Sequence, residues 1–406
     1  GEIMVSKWAK ACSIISATAL FLGFSACGSA NTNRSGTAEG ITAEDVEKAL
    51  TDNSKTVELT FWAPSYNAMK ASVEAFQKKY PHIKIDFVNP GSSSEFNTKL
   101  QNAITAKKGV PEVVQFGYDS YGQFAMTGGL LNFKNDSLEK YLGDKYLDAA
   151  WKGVHLAGGL YAIPQDIAPM VMYVRQDILD QYGLKTPTTW DEFAEAGRQL
   201  KAAGYDGYLS DWAPNGTAVN LALFAQKNEN VYDYSASSPD KVGINFNTKG
   251  VQDVLKYWQG LVKEGLVDTT DANTTDWNTN MLSGKYAAYV QASWLTGYIK
   301  GLDGASQGKF KVYKAPVWDD STPMVNQGGS AWGVTDQAKD TKAAYEVARE
   351  LFDSDKAQEI GTTDGGLFLS WTKTLNPDGF KNMKQPFSGN QKHNEVTIQT
   401  AAGQNR

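Results

Sequence analysis

Two α/β lobes joined by a hinge are the fold class that this 406-residue sequence predicts, and three observations carry it. Short β-rich runs alternate with segments of helical periodicity from Val57 onward, which implies parallel strands with right-handed crossovers. A long extended stretch with two prolines, Gly159 to Arg175, separates that set from a second one. At about 150 residues per domain, the length itself gives two to three domains.

The elements follow in order, and the first is an address. Lys7 and Lys10 precede an apolar run from Ala11 to Phe24, the pattern of an export signal, with Met4 as its natural start. The run is shorter than the roughly 20 apolar residues of a membrane-spanning helix. It ends in Phe24-Ser25-Ala26-Cys27, which resembles the bacterial lipobox. Residues 1–26 are therefore read as a signal peptide and Cys27 as a lipidation site; a plain cleaved signal with an incidental cysteine is the alternative. From Gly28 to about Gly40 small polar residues dominate, and residues 27–56 are expected to form a tether. Ile41 to Leu50, with Thr42 as cap, is expected as a short helix outside the core.

The body opens with a strand at Val57 to Trp62 and a helix from Tyr66 to Tyr80, which Pro81 stops. Ile83 to Val88 alternates with period two, Phe96 to Ala106 is amphipathic, and Val113 to Gly117 is a third strand. In the second set a helix at Trp190 to Ala203 is capped by Thr188 or Thr189 and ends at Gly204. A strand at Tyr205 to Ser210, a helix at Val251 to Glu264 and strands at Tyr286 to Gln291 and Lys311 to Pro316 follow. Gly329 to Val334 and a helix at Thr341 to Phe352 close the series, and the polar stretch Asn376 to Arg406 reads as irregular.

Composition excludes several kinds of chemistry. With 39 Lys plus Arg against 45 Asp plus Glu, the net charge of −6 disfavours a nucleic-acid partner. Cys12 and Cys27 both precede the body, which leaves it no disulfide and no cysteine nucleophile. His82, His155 and His393 lie far apart with no metal-ligand spacing, so no metal and no cofactor is expected. Asp268, Asp271 and Asp276 lack the Gly and Glu of a calcium loop and read as a solvated face. The aromatic share is 12%, with 11 Trp and 19 Tyr, which supplies flat rings for stacking on a ligand.

Six segments carry a resemblance. They are VELTFWAP (Val57 to Pro64), FGYDSYGQFAMTGGLLNF (Phe116 to Phe133), GLYAIPQDIAPMVMYVRQDIL (Gly159 to Leu179), TTWDEFAEAGRQL (Thr188 to Leu200), GKYAAYVQASW (Gly284 to Trp294) and GGSAWGV (Gly328 to Val334). In this order the chain resembles the maltose-binding-protein-like extracellular solute-binding proteins (family 1) of bacterial sugar ABC transporters, over roughly Val57 to Trp371. The resemblance implies a periplasmic-binding-protein-like fold with discontinuous lobes: 57–162 with 325–360, and 165–317 with 361–406. Hinges would fall near 163–164 and 315–316, where Pro164 and Pro316 fix φ. It also implies a monomeric lipoprotein on the outer face of a Gram-positive cell membrane, partnered by permease subunits. Members usually end in an amphipathic helix that seals the second lobe. The polar end here reads either as a shortened C-terminus or as a lobe closed differently.

A sugar site needs aromatic faces for C–H surfaces and planar polar groups for hydroxyls. Trp294, in the QASW turn, matches the position of a stacking tryptophan in the family; Trp212 follows GYLSD in a turn with Pro214, and Trp371 follows LFLS. Trp62 is read as core, and Trp212 and Trp294 are expected to line one wall of the cleft. Asp166 sits where the family places an acidic hydroxyl acceptor. Tyr118 and Asp119 follow the third strand, Tyr66 and Asn67 open the first helix, and Gly328 and Gly329 let backbone amides approach a sugar. No catalytic residue is recognised. The expected function is capture of a carbohydrate, an oligosaccharide, in the interlobe cleft, with closure by population shift. The rivals are a secreted glycoside hydrolase, for which two carboxylates about 5–10 Å apart suffice, and a binding protein for a peptide or polyamine.

Overall fold

A computed structural model of the chain describes residues 50, 53–134, 136–214, 216–234, 241–272, 274–300, 304, 308–363, 367–368, 370 and 381–403. The expected signal peptide, lipidation at Cys27 and the cleft role of Trp371 fall outside these residues.

Strands β1 (Val57–Trp62), β2 (Ile83–Val88) and β3 (Val113–Gly117) are parallel, with β1 in the middle. Helices α1 (Tyr66–Lys79) and α2 (Ser93–Ala106) make the crossovers. The start of α2 is fixed by a capping box: Ser92 accepts from the Glu95 amide, and the Glu95 carboxylate accepts from the Ser92 amide at 2.7 Å.

The second set is built differently from the first. Strand β4 (Ile163–Arg175) is buried along all 13 residues. Its second half pairs antiparallel with β5 (Ala288–Ala292) and β6 (Phe310–Lys314). Its first half pairs with β7 (Asn326–Val334), which in turn pairs antiparallel with β3. One sheet of seven strands therefore runs through the molecule. The strand expected at Tyr205 to Ser210 shrinks to Ser210–Asp211, because the amides of Tyr208 and Leu209 are divided between the carbonyls of Lys285 and Leu266.

Apolar residues gather on both sides of the crossing. The first core joins Phe61, Phe96, Leu100, Ile163, Trp332 and Tyr345. Leu50, expected outside the core, is a correction: it is 5% exposed and belongs to this cluster. Beyond the crossing, alternate residues of β4 feed two clusters, because successive side chains of a strand point to opposite faces. Met170, Met172 and Val174 pack with residues of α3 (Trp190–Ala202), α4 (Thr217–Ala225) and α5 (Lys249–Lys263). Val171 and Tyr173 pack with Trp277, Tyr289, Leu295 and Phe310. Ala315, expected at a hinge, lies in the second core together with Val325. The chain then passes to the first core within β7, where Ala331 belongs to it. Helix α6 (Thr341–Asp353) covers the first core.

The C-terminal expectation is also corrected. Residues His393–Gly403 form helix α7, packed against β4 and β6. Its buried side includes His393, Asn394, Thr397, Thr400 and Ala401. The Thr397 and Thr400 hydroxyls donate back to the carbonyls of His393 and Val396 at 3.4 and 2.9 Å, so they bury without an unmet donor. A helix that hides threonines has no hydrophobic stripe to announce it.

Candidate functional site

Three of the predicted residues meet where the sheet passes between cores. Asp166, on β4, is 2% exposed, and its Oδ1 is buried without a hydrogen-bond partner among the described residues. Across the ladder lies Ser330 of β7. Tyr118, just past β3, donates its backbone N–H to the Gly329 carbonyl at 3.3 Å, while its own hydroxyl is buried and unpartnered. Gly329 has φ +119°, and a Cβ there would stand 2.7 Å from the Asp166 carbonyl oxygen and 2.9 Å from the Tyr118 ring. Only glycine fits, so the missing side chain is what lets the three converge. Burial pushes the Asp166 carboxyl up to about 7, against hydrogen bonds from Ser330 that pull it down. Burial, and then the nearby Asp166, hold the Tyr118 phenol well above its ordinary value.

Neutral amides that the sequence reading missed complete this strip. Gln327, 4% exposed, donates from Nε2 to Gln291 Oε1 at 2.9 Å and leaves its own Oε1 unpartnered. Asn326 accepts from the Ala168 amide at 2.6 Å and donates to the Gly328 carbonyl, which holds Gly328 at φ +88°. The one available signal was position, since Gln327 immediately precedes the Gly328-Gly329 pair.

The other predicted residues are more scattered. Tyr66 stacks on Phe87 at 4.2 Å, Asn67 and Asp119 are exposed, and Trp62 packs half-buried against the first core, as read. Trp212 is half-buried at the edge of one cluster beyond the crossing, and Trp294 at the edge of the other. Those clusters take alternate residues of β4, so the two indoles attach to opposite faces of the sheet, which corrects the expectation that they line one wall. Asp268 is not on a solvated face: it accepts from the Thr270 hydroxyl at 2.9 Å and from the Tyr286 hydroxyl.

Ser293, the residue before Trp294, lines a small cavity of about 20 Å³ together with Thr296, Thr362, Phe368, His393 and Thr397. Ser293 Oγ and His393 Nδ1 are buried there without partners. Burial, helped by Lys300, pushes the His393 imidazole down to about 4, so it is neutral at physiological pH. No group of side chains able to hold a metal ion occurs among the described residues. Unpaired, mostly neutral acceptors and half-buried indoles suit a ligand with many hydroxyls and an apolar ring face, rather than an ion.

Comparison with known proteins agrees with that chemistry. The family model of bacterial extracellular solute-binding proteins matches residues 62–358. A lactose-binding protein of Rhizobium radiobacter is 25% identical over 328 residues, 75% of this chain and 73% of that protein. Among solved structures, the ABC transporter associated binding protein of B. animalis subsp. lactis Bl-04, in complex with β-1,6-galactobiose, aligns with TM-score 0.77 and 27% identity over 86% of both chains. The galacto-N-biose-/lacto-N-biose I-binding protein of Bifidobacterium longum aligns with TM-score 0.73 and 20% identity over 87% of both.

Proposed function

The chain belongs to the bacterial extracellular solute-binding proteins, and from that premise we propose that it is the receptor of a sugar ABC transporter, capturing an oligosaccharide between two lobes and handing it to a membrane permease. The observation that carries the sugar reading is the strip of unpartnered acceptors, Asp166 Oδ1, Tyr118 Oη and Gln327 Oε1, at the passage between cores. A buried acceptor left without a donor costs about 1–3 kcal/mol, and sugar hydroxyls supply such donors. The lobes comprise 57–165 with 331–360 and 170–325 with 361–406, and bending is confined to 166–169 and 326–330. There the β4–β7 register shifts, and Gly328 and Gly329 adopt positive φ.

The ligand leaves chemically unchanged, as in a family of binding proteins. Calorimetry against a panel that starts with lactose and β-1,6-galactobiose is expected to show saturable heat, and chromatography to recover the sugar intact after long incubation. Binding of a peptide or polyamine instead of any sugar, or shortening of the sugar, would refute the reading.

Anchoring at Cys27 belongs to the same proposal and rests on the basic, apolar, small-residue sequence before it. No helix among the described residues is long and apolar enough to cross a membrane. Cys27→Ser is expected to release the protein from the membrane fraction with its ligand affinity intact; full retention would remove the lipid anchor.

A further inference from the structure

We propose that Asn220 is a positioning residue of the sugar site, which holds the Trp212 indole so that only its face meets the ligand. The inference rests on the sugar-binding reading and on Trp212 belonging to the site. Asn220 lies in the first turn of α4 and is 8% exposed. Its Oδ1 accepts from Trp212 Nε1 at 2.9 Å, and its Nδ2 donates to the carbonyls of Ala213 at 3.3 Å and Pro214 at 3.1 Å. Among the described residues, every hydrogen bond of this side chain is thus spent on the single turn that carries Trp212.

Other contacts define the rest of the ring's setting. The Trp212 backbone amide donates to the Asp268 carbonyl at 2.8 Å, and the indole stacks on Trp258 of α5, with centroids 6.0 Å apart and planes 15° apart. No other aromatic ring contacts Trp212 among the described residues. One face is backed by Trp258 and the N–H is engaged by Asn220, so the ring offers a sugar an apolar surface and no donor. Helix α4 also packs against β7, which carries Gln327 and Gly329. The helix that carries Asn220 therefore ties the Trp212 turn to the strand that bears the unpartnered Gln327 Oε1.

The test is a double-mutant cycle with β-1,6-galactobiose and lactose as probes, combined with indole N–H exchange followed by NMR on 15N-tryptophan protein. The Trp212 signal is the one lost in Trp212→Phe. Asn220→Ala is expected to speed its exchange at least about tenfold and to weaken sugar binding about fivefold to twentyfold. The double variant with Trp212→Phe is expected to bind no more weakly than the weaker single one, since both act through one ring. Asn220→Asp keeps the acceptor but loses the donors, so slow exchange should persist, which separates the indole contact from a folding defect. Fast exchange in the wild type, unchanged affinity in Asn220→Ala, or losses that multiply in the double variant would overturn the role of Asn220 and leave the function standing. A wild-type protein that binds neither these nor any other sugar of the panel would overturn both.

Discussion

Trp212 and Trp294 share a residue type and a position after a strand, yet their settings differ. Trp212 is stacked and hydrogen-bonded, while Trp294 is half-buried with no ring against it among the described residues. Trp294→Ala is expected to weaken sugar binding about tenfold to a hundredfold through lost apolar contact, with a near-normal melting temperature. A collapsed melting temperature, or normal affinity, removes it from the site. At Asp166 the test is pH. Its folded-state carboxyl is raised from 3.8 to about 7, so the native state holds the proton more tightly than the unfolded chain. The resulting stability is fully present below about pH 4 and is lost as pH rises through 7. Asp166→Asn is expected to flatten the melting-temperature profile across that window; an unaltered profile would show that another group governs it. Of the three residues that converge, Asp166 came from the family resemblance, Tyr118 from its place past a strand end, and Gly329 from a glycine pair that admits close backbone approach. Gln291, Gln327, Ser293 and His393 were not legible: a neutral polar side chain in a strand, turn or helix start looks the same whether it is partnered or waiting for a ligand.

Elements carry their own tests. In β7, Gly329→Ala must place a Cβ against the Asp166 carbonyl at φ +119°. It is expected to destabilise by about 1–3 kcal/mol and to weaken sugar binding with it, as read by urea unfolding and calorimetry. On β6, the Gln391 side chain behaves as a single residue of an extra strand. Its Oε1 accepts from the Val312 amide and its Nε2 donates to the Val312 carbonyl, both at 2.8 Å. Gln391→Ala is expected to cost about 1–3 kcal/mol, two hydrogen bonds' worth; a change below a few tenths would mean that solvent replaces both. The parallel strands and their crossover helices were readable because their periodicities and caps are local. The antiparallel pairing of β5 and β6 with β4, and the threonine-lined face of α7, depend on partners far along the chain and leave no local mark.

For the whole molecule, the narrow passage through β4 and β7 predicts compaction. Small-angle scattering is expected to show a smaller radius of gyration when a bound sugar saturates the protein, and an unchanged radius with confirmed binding would argue for a rigid site. The two-lobe division was legible from the long extended stretch, whereas the return crossing was misplaced at Ala315-Pro316. Ala315 belongs to the second core, and the passage occurs within β7, beyond Val325. Leu50, seated in the first core, has a mechanical consequence. It moors the front of the chain to one lobe, so on the proposed anchoring at Cys27 the mooring line is counted from Cys27 to Leu50. However those residues are arranged, they span at most about 80 Å. The first lobe is then held within that radius of the bilayer, and sugar capture becomes the swing of a free jaw against a moored one.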